Sequence, residues 1–462
     1  MDQSTENKVL DALYDRLFQA VTYAPAGQKS LFDVKTTFIQ FAKNQPLWPK
    51  DYANQLSPIN PNGSLNAAEM FSRMVDTVPA LSSDYVATMN KVGDTYLRIV
   101  DGANSVVQVD PAQKEIYDKA YNYLNVDVQI KDYTGATITT HQPSPIYSAY
   151  LSNQKAYTNA LCGYKTAYLG YNLSNIDDQR KWQANEPMLQ MAVTQSYDTW
   201  RAQGAAQVEQ ALAALASSIN NIVSAAINAA QKTMHSSAMA SSMGFPSTWY
   251  LAYPTPTNWY DDSALPNFTA LTFKSDNLTK SSDTNYSKYS AGVSAGWGLW
   301  SVGGDVSGEH SETHSHMDAD HFELSADIAT VQINRPWMND LIFRMNGWSL
   351  LGQKAGLISN GALEGNASSL LPLTPTAFIV ARNIAITANW STEDKKHVEN
   401  SISTHANVGW GPFSVNGSYS HGSSSDYFNA TFNGDTLTIP GMQTIAWVNE
   451  IMPFSAPVSG VK

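Results

Sequence analysis

Two stretches of this chain alternate apolar residues with small polar ones and then change phase by one residue at the same place. In the first, Tyr289, Ala291, Val293, Ala295 and Trp297 share one face with Leu299, while Ser290, Ser294 and three glycines take the other. Trp300, Val302 and Val306 then carry the apolar face. In the second, Ile402, Thr404, Ala406, Val408 and Trp410 give way to Phe413, Val415 and Tyr419 after Pro412. Alternation with period 2 predicts a strand with one buried face. A slip of one residue would expose everything that follows unless a bulge or a turn absorbs it, so the slip must be structural.

The two stretches share Trp-Gly-x-aromatic-Ser-Val-x-Gly-x-x-Ser, from Trp297 to Ser307 and from Trp410 to Ser420, at a constant offset of 113 residues. Similar flanks accompany them. Thr255-Pro256-Thr257 and Thr374-Pro375-Thr376 each lead toward a strand-like run, Phe268 to Phe273 and Phe378 to Ile386. Asp320-His321-Phe322 and Asp426-Tyr427-Phe428 open another. These features predict a duplicated strand-rich unit.

The first half has helical spacing instead. Val9, Leu13, Leu17 and Val21 step by four, helices are expected over 30–43, 67–74, 83–100 and 112–125, and residues 126–142 alternate as a hairpin would. Ser144 and Pro145 suit the cap and first position of a helix running to Tyr171. Its Tyr147, Tyr150, Tyr157, Tyr164 and Tyr168 form a stripe, which fits packing better than a sugar-binding strip. Val208 to Ala229 keeps a heptad rhythm, expected as a long bundle helix or, more sharply, as one able to enter a bilayer. A short amphipathic helix is expected over 337–348. The predicted class is α+β: an N-terminal helical bundle (1–243), then a strand-rich antiparallel region built from two related units (244–350 and 351–462).

Composition removes several functions. A net charge of −12 and the lack of a Lys/Arg run argue against nucleic acid. One cysteine, Cys162, allows neither an internal disulfide nor a multi-cysteine metal site, and is expected to be a buried small hydrophobe. No secretory signal opens the chain, so the expectation is synthesis in the cytoplasm, followed by release through another route or by retention as a cytoplasmic assembly. No catalytic motif occurs in a plausible strand-to-helix setting, and neither enzyme activity nor a cofactor is expected.

One tract carries ligand chemistry. On a strand, His310, Glu312, His314, His316, Asp318 and Asp320 would share a face. Imidazoles and carboxylates suit a transition metal or a pH sensor, with His310, His314 and His316 as the candidate ligands, while a solvated hairpin tip is the plainer reading. The second unit has only His421 followed by Gly and Ser there, so the repeat does not need the tract.

Three functions compete. A membrane-acting, oligomerising, toxin-like pore former would use both alternating stretches as hairpins, because a spanning strand needs about 9–11 residues. That layout looks like the one of pore formers carrying two membrane hairpins. Its membrane or assembly face would be Tyr289, Ala291, Val293, Ala295, Trp297, Ile402, Ala406, Val408 and Trp410, and its partners further copies of the chain and a lipid membrane. The alternatives are a self-assembling structural or interaction protein whose strands pair between subunits, and an aromatic-rich carbohydrate- or surface-binding protein with a surface glycan as its partner.

Overall fold

The computed structural model describes residues 3–22, 30, 32–58, 60–105, 111–131, 137–171, 176–218, 223–245, 247–261, 268–274, 299–302, 311–313, 318–404, 407–421 and 424–460. Mixed helix and strand are organised around one large antiparallel sheet. The strands that build the sheet and the site are, in chain order, β1 (Thr37–Phe41), β2 (Thr269–Lys274), β3 (Trp300–Val302), β4 (Ser311–Thr313), β5 (Asp318–Asn334) and β6 (Leu373–Asn389). They continue with β7 (Val408–Trp410), β8 (Phe413–Ser414), β9 (Asn416–His421), β10 (Ser424–Asn429), β11 (Thr436–Ile439) and β12 (Gln443–Ile451). The sheet order is β1-β12-β6-β5-β2, and β11 pairs with β6 further along that strand.

β6 lies at the centre and is covered on both faces. Ala377, Ile379 and Ala381 join one apolar core, and Phe378 and Val380 join another on the opposite side. Beyond Asn383, which takes φ +51 where the ladder with β5 shifts, the first core is continued by Ile384, Ile386 and Ala388. One extra residue flips the phase, so the local bulge keeps the apolar side chains inside. The first core is closed by α1 (Gln3–Thr22), whose Val9, Leu13, Leu17 and Val21 are all buried as their spacing requires.

The run 30–43, expected to be helical, instead supplies β1 as the sheet edge, paired with β12. All five of its residues are buried, a demand that a helix with one apolar stripe does not meet. Its Gln40 is satisfied inside: Nε2 donates to Ala80 O and Ser82 O at 2.7 Å, and Oε1 accepts from Asn449.

The remaining helices are α2 (Leu65–Met74), α3 (Val92–Gly102), α4 (Pro111–Leu124), α5 (Pro145–Gly170), α6 (Ile176–Trp200), α7 (Ala206–Ser218), α8 (Val223–Ser236), α9 (Leu341–Arg344) and α10 (Thr392–Thr404). The expected hairpin is Asn125–Lys131 paired with Thr137–Pro143, and Ser144 caps α5 through Tyr147 N at 3.3 Å. The expected helix 83–100 starts only at Val92, after a strand Ala87–Lys91, and that over 337–348 shrinks to the single turn α9. Val208, Leu215 and Ala226 of the heptad run are buried in a core that α3, α4, α7 and α8 share with Trp337 and Trp348. The tyrosine stripe packs: Trp200 meets Tyr150 and Tyr157, and Trp182 meets Tyr164 and Tyr168. Among the described residues no helix is long and apolar enough to cross a membrane.

Candidate functional site

The phase slip of the second stretch is a two-residue hairpin turn. Trp410 pairs with Phe413 and Gly409 with Ser414, leaving Gly411 and Pro412 as the loop. Gly411 adopts φ +55, a conformation that glycine reaches without strain. Paired residues of a hairpin lie on the same face, so an odd-numbered apolar set follows an even-numbered one across such a turn. Val408, Trp410, Phe413 and Val415 therefore form a single apolar face, each at most 1% exposed.

The described part of the first stretch joins this hairpin directly. β3 pairs antiparallel with β7, Trp300 opposite Trp410 and Val302 opposite Val408, and the small sheet runs β4-β3-β7-β8. Gly409 is required at the contact: a Cβ there would lie 2.7 Å from both Ser301 Oγ and Asn44 Oδ1. Buried amides replace missing ladder partners. Gln443 Oε1 accepts from Ser414 N at 2.5 Å, and Asn416 Oδ1 accepts from Val408 N at 3.2 Å.

α10 clasps the pair of stretches from outside. Ser391 and Asp394 cap its first turn reciprocally: Asp394 N donates to Ser391 Oγ at 3.0 Å, and Ser391 Oγ donates to Asp394 Oδ2 at 2.9 Å. The other carboxylate oxygen of Asp394, a residue only 2% exposed, accepts from Trp300 Nε1 at 2.7 Å. One turn on, the His397 ring meets Trp300 edge to face at 5.1 Å. Trp390, just before the helix, packs on both Trp300 and Trp410. The arrangement keeps cost in reserve. Trp410 Nε1 and His397 Nε2 are buried with no hydrogen-bond partner among the described residues, a penalty of about 1–3 kcal/mol for each such group.

Burial pushes the His397 pKa below its ordinary value, against the pull of Asp394 in the opposite direction. A histidine with a depressed folded pKa binds fewer protons folded than unfolded, so its contribution to stability is present above the unfolded value of about 6.5 and is lost as pH falls below it. His397→Phe is expected to flatten the fall in stability between pH 7 and the folded pKa, read from urea unfolding at several pH values. An unchanged slope would show that another group governs that window.

Several sequence candidates fall elsewhere. Ile402 is not on a strand: it belongs to α10, half-buried against the sheet core, because the Ser391 cap nucleates a helix through Thr404. Val408 and Trp410 are together on β7. Tyr289, Ala291, Val293, Ala295, Trp297 and Ala406 lie outside the described residues, as do His310, His314 and His316. Among the described residues no three potential ligands cluster around a metal position. Trp390, Asp394 and His397 were missed, although Ser-x-x-Asp at 391–394 is a helix-start signal.

A concavity lies at the other end of β5 and β6 from this packed hairpin. It has a volume of about 300 Å³ and is lined by Asp33, Thr36, Thr37, Gln332, Arg344 and Glu450, with Phe32 and Ile333 as its apolar wall. Arg344 donates to Glu450 at 2.7 Å, and burial raises the Glu450 pKa. Mixed donors and acceptors beside an apolar wall suit a small polar ligand. No protein-family model, curated protein or solved structure matches the chain.

Proposed function

We propose that this chain is a membrane-acting, oligomerising pore former, toxin-like in action, whose two related strand-rich units each supply a hairpin. The observation that carries the reading is the Gly411-Pro412 hairpin, with Val408, Trp410, Phe413 and Val415 on one face and Gly409, Ser414 and Asn416 on the other. Its apolar face would meet lipid and its polar face water, the division of a membrane barrel strand. In the soluble fold that face is buried, capped by α10 and paired with β3, which is what a protein that must stay dissolved until it meets a membrane requires.

The expected result is dye release from lipid vesicles together with ring-like or arc-like particles in electron micrographs. Particles without release would favour the self-assembling structural reading. Absence of release at every pH from neutral to mildly acidic, on neutral and anionic vesicles alike, would remove the pore reading. The cavity at Gln332 and Arg344 supports a surface-glycan reading, either as the whole function or as the means of docking on a target.

A further inference from the structure

In an antiparallel ladder the two numbers of every partner pair add to one constant, so equal constants at two separated places mean equal lengths of chain between them. β6 pairs with β11 as Ile384 with Ile439 through Thr387 with Thr436, and each pair adds to 823. Ala388 N continues that ladder to Asp435 O at 3.0 Å. The hairpin tip, Trp410 with Phe413 and Gly409 with Ser414, adds to 823 as well. Between Ala388 and Val408 one arm leaves the ladder to form α10. Between Val415 and Asp435 the other arm leaves it to form β9 and β10. The two excursions are equal in length, residues 389–407 and 416–434.

The neighbouring ladder keeps its constant only in part, since it shifts to 707 at Asp318 with Asn389 and to 709 from Asp327 with Arg382 onward. β5 pairs with β6 as Glu323 with Thr387 and Leu324 with Ile386, adding to 710, and β3 pairs with β7 as Trp300 with Trp410, again adding to 710. The β2 ladder on the far side of β5 adds to 597 from Thr269 with Ile328 to Lys274 with Glu323. β3 itself pairs with β4 as Trp300 with Thr313, adding to 613, so the described part of the first stretch has its own register. The constants 823, 710 and 597 are spaced by 113, the offset of the motif itself.

We infer that α10 and the β9–β10 hairpin are a stored form of strand: residues 389–407 and 416–434 convert to prolong β6 and β11 without a register change, up to the Gly411-Pro412 turn. This deepens the pore reading by naming the segment that converts, and it rests on that reading only for the trigger. The sequence agrees with the converted form. In that register Val398, Ile402, Ala406, Val408 and Trp410 fall on one face with Phe413, Val415 and Tyr419, interrupted by Asn400, Thr404 and Gly417. Glu399, Ser401, Ser403, His405 and Asn407 fall on the other with Ser414, Asn416, Ser418 and Ser420. From Val398 to Trp410 the arm exceeds the about 9–11 residues that a spanning strand needs. Charges at Glu393, Asp394, Lys395 and Lys396 remain on the sheet side of it. The alternation read in the sequence thus describes the converted state, and the cap at Ser391 describes the stored one.

The test is a disulfide that only the converted register allows. Val415 N donates to Val408 O at 2.8 Å, which makes 408/415 a hydrogen-bonded pair and 403/420 one of the closer, non-hydrogen-bonded pairs. With Cys162→Ala as background, Ser403→Cys with Ser420→Cys is expected to cross-link on vesicles at least about tenfold more than in buffer. An out-of-register pair, Ser401→Cys with Ser420→Cys, is expected not to respond. Vesicle leakage without the 403/420 cross-link would overturn the conversion and leave the pore reading standing. Preferential 401/420 cross-linking would overturn the register. Failure to cross-link on every vesicle composition, with or without leakage, overturns the inference outright.

Discussion

Thr392→Pro is expected to abolish vesicle leakage while leaving the unfolding curve of the soluble protein close to that of the wild type. Thr392 is the first residue of α10, where the backbone N–H has no partner within the helix and the fixed φ of proline is already suitable. In the converted strand, position 392 would be opposite Thr431 in the 823 register, at a hydrogen-bonded site like 388/435 and 408/415. β5 already pairs with this arm as far as Asp318 with Asn389, so a strand continued through 392 would have β5 on one side and β11 on the other, interior to the sheet. Proline there deletes a ladder bond where no water can replace it, and central strands exclude it for that reason. Thr392→Ala is the control, keeping both the helix and the ladder. Equal leakage from the proline and alanine variants would show that α10 need not unwind, and conversion of this arm would be abandoned.

Asp394→Ala is expected to destabilise the soluble fold by about 2–4 kcal/mol, since it removes a charge-assisted bond to a buried indole and a helix cap together. Trp300 Nε1 would be left without its acceptor, and Ser391 Oγ without the carboxylate it donates to. Trp300→Phe removes the donor as well, so the double variant should cost less than the sum of the two single ones. A coupling of about 1–2 kcal/mol is expected for groups in direct contact. Urea unfolding of all four proteins measures it. Strict additivity would mean that the contact contributes no net stability and that α10 is held by its other packing. On vesicles, the single Asp394→Ala variant should leak faster than the wild type, because it weakens the stored state and leaves the strand form untouched.

Much of the architecture was readable in local pattern. The four-residue spacing of Val9 to Val21, the Ser144 cap and the hairpin near 126–142 depend on interactions between near neighbours in sequence, the runs at Phe268 and Phe378 announce themselves by composition, and each forms where it was expected. The phase slip was likewise legible as a structural event, and the two-residue turn at Gly411-Pro412 accounts for it. Residues 37–41 were misread because Thr-Phe-Ile-Gln-Phe has no period that separates a fully buried edge strand from a buried helical turn. What decides there is the partner: β12 lies some four hundred residues away in sequence and offers an open edge.

The candidate site divides along the same line. Its apolar face, its glycines and its aromatic positions follow from the sequence alone, because alternation constrains side chains whether or not the strand is formed. That Ile402 sits in a helix, that Asp394 reaches Trp300 and that the two stretches pair edge to edge through Trp300 and Trp410 follow only from tertiary structure. The physical reason is that two local signals overlap in one segment. A strand alternation begins at Ile402 while a helix-start signal at Ser391 runs into it, and local propensities of a few tenths of a kcal/mol per residue are too close to choose between them. Burial of the Trp300 indole against the Asp394 carboxylate, a contact between residues 94 apart in sequence, favours the helix in this fold.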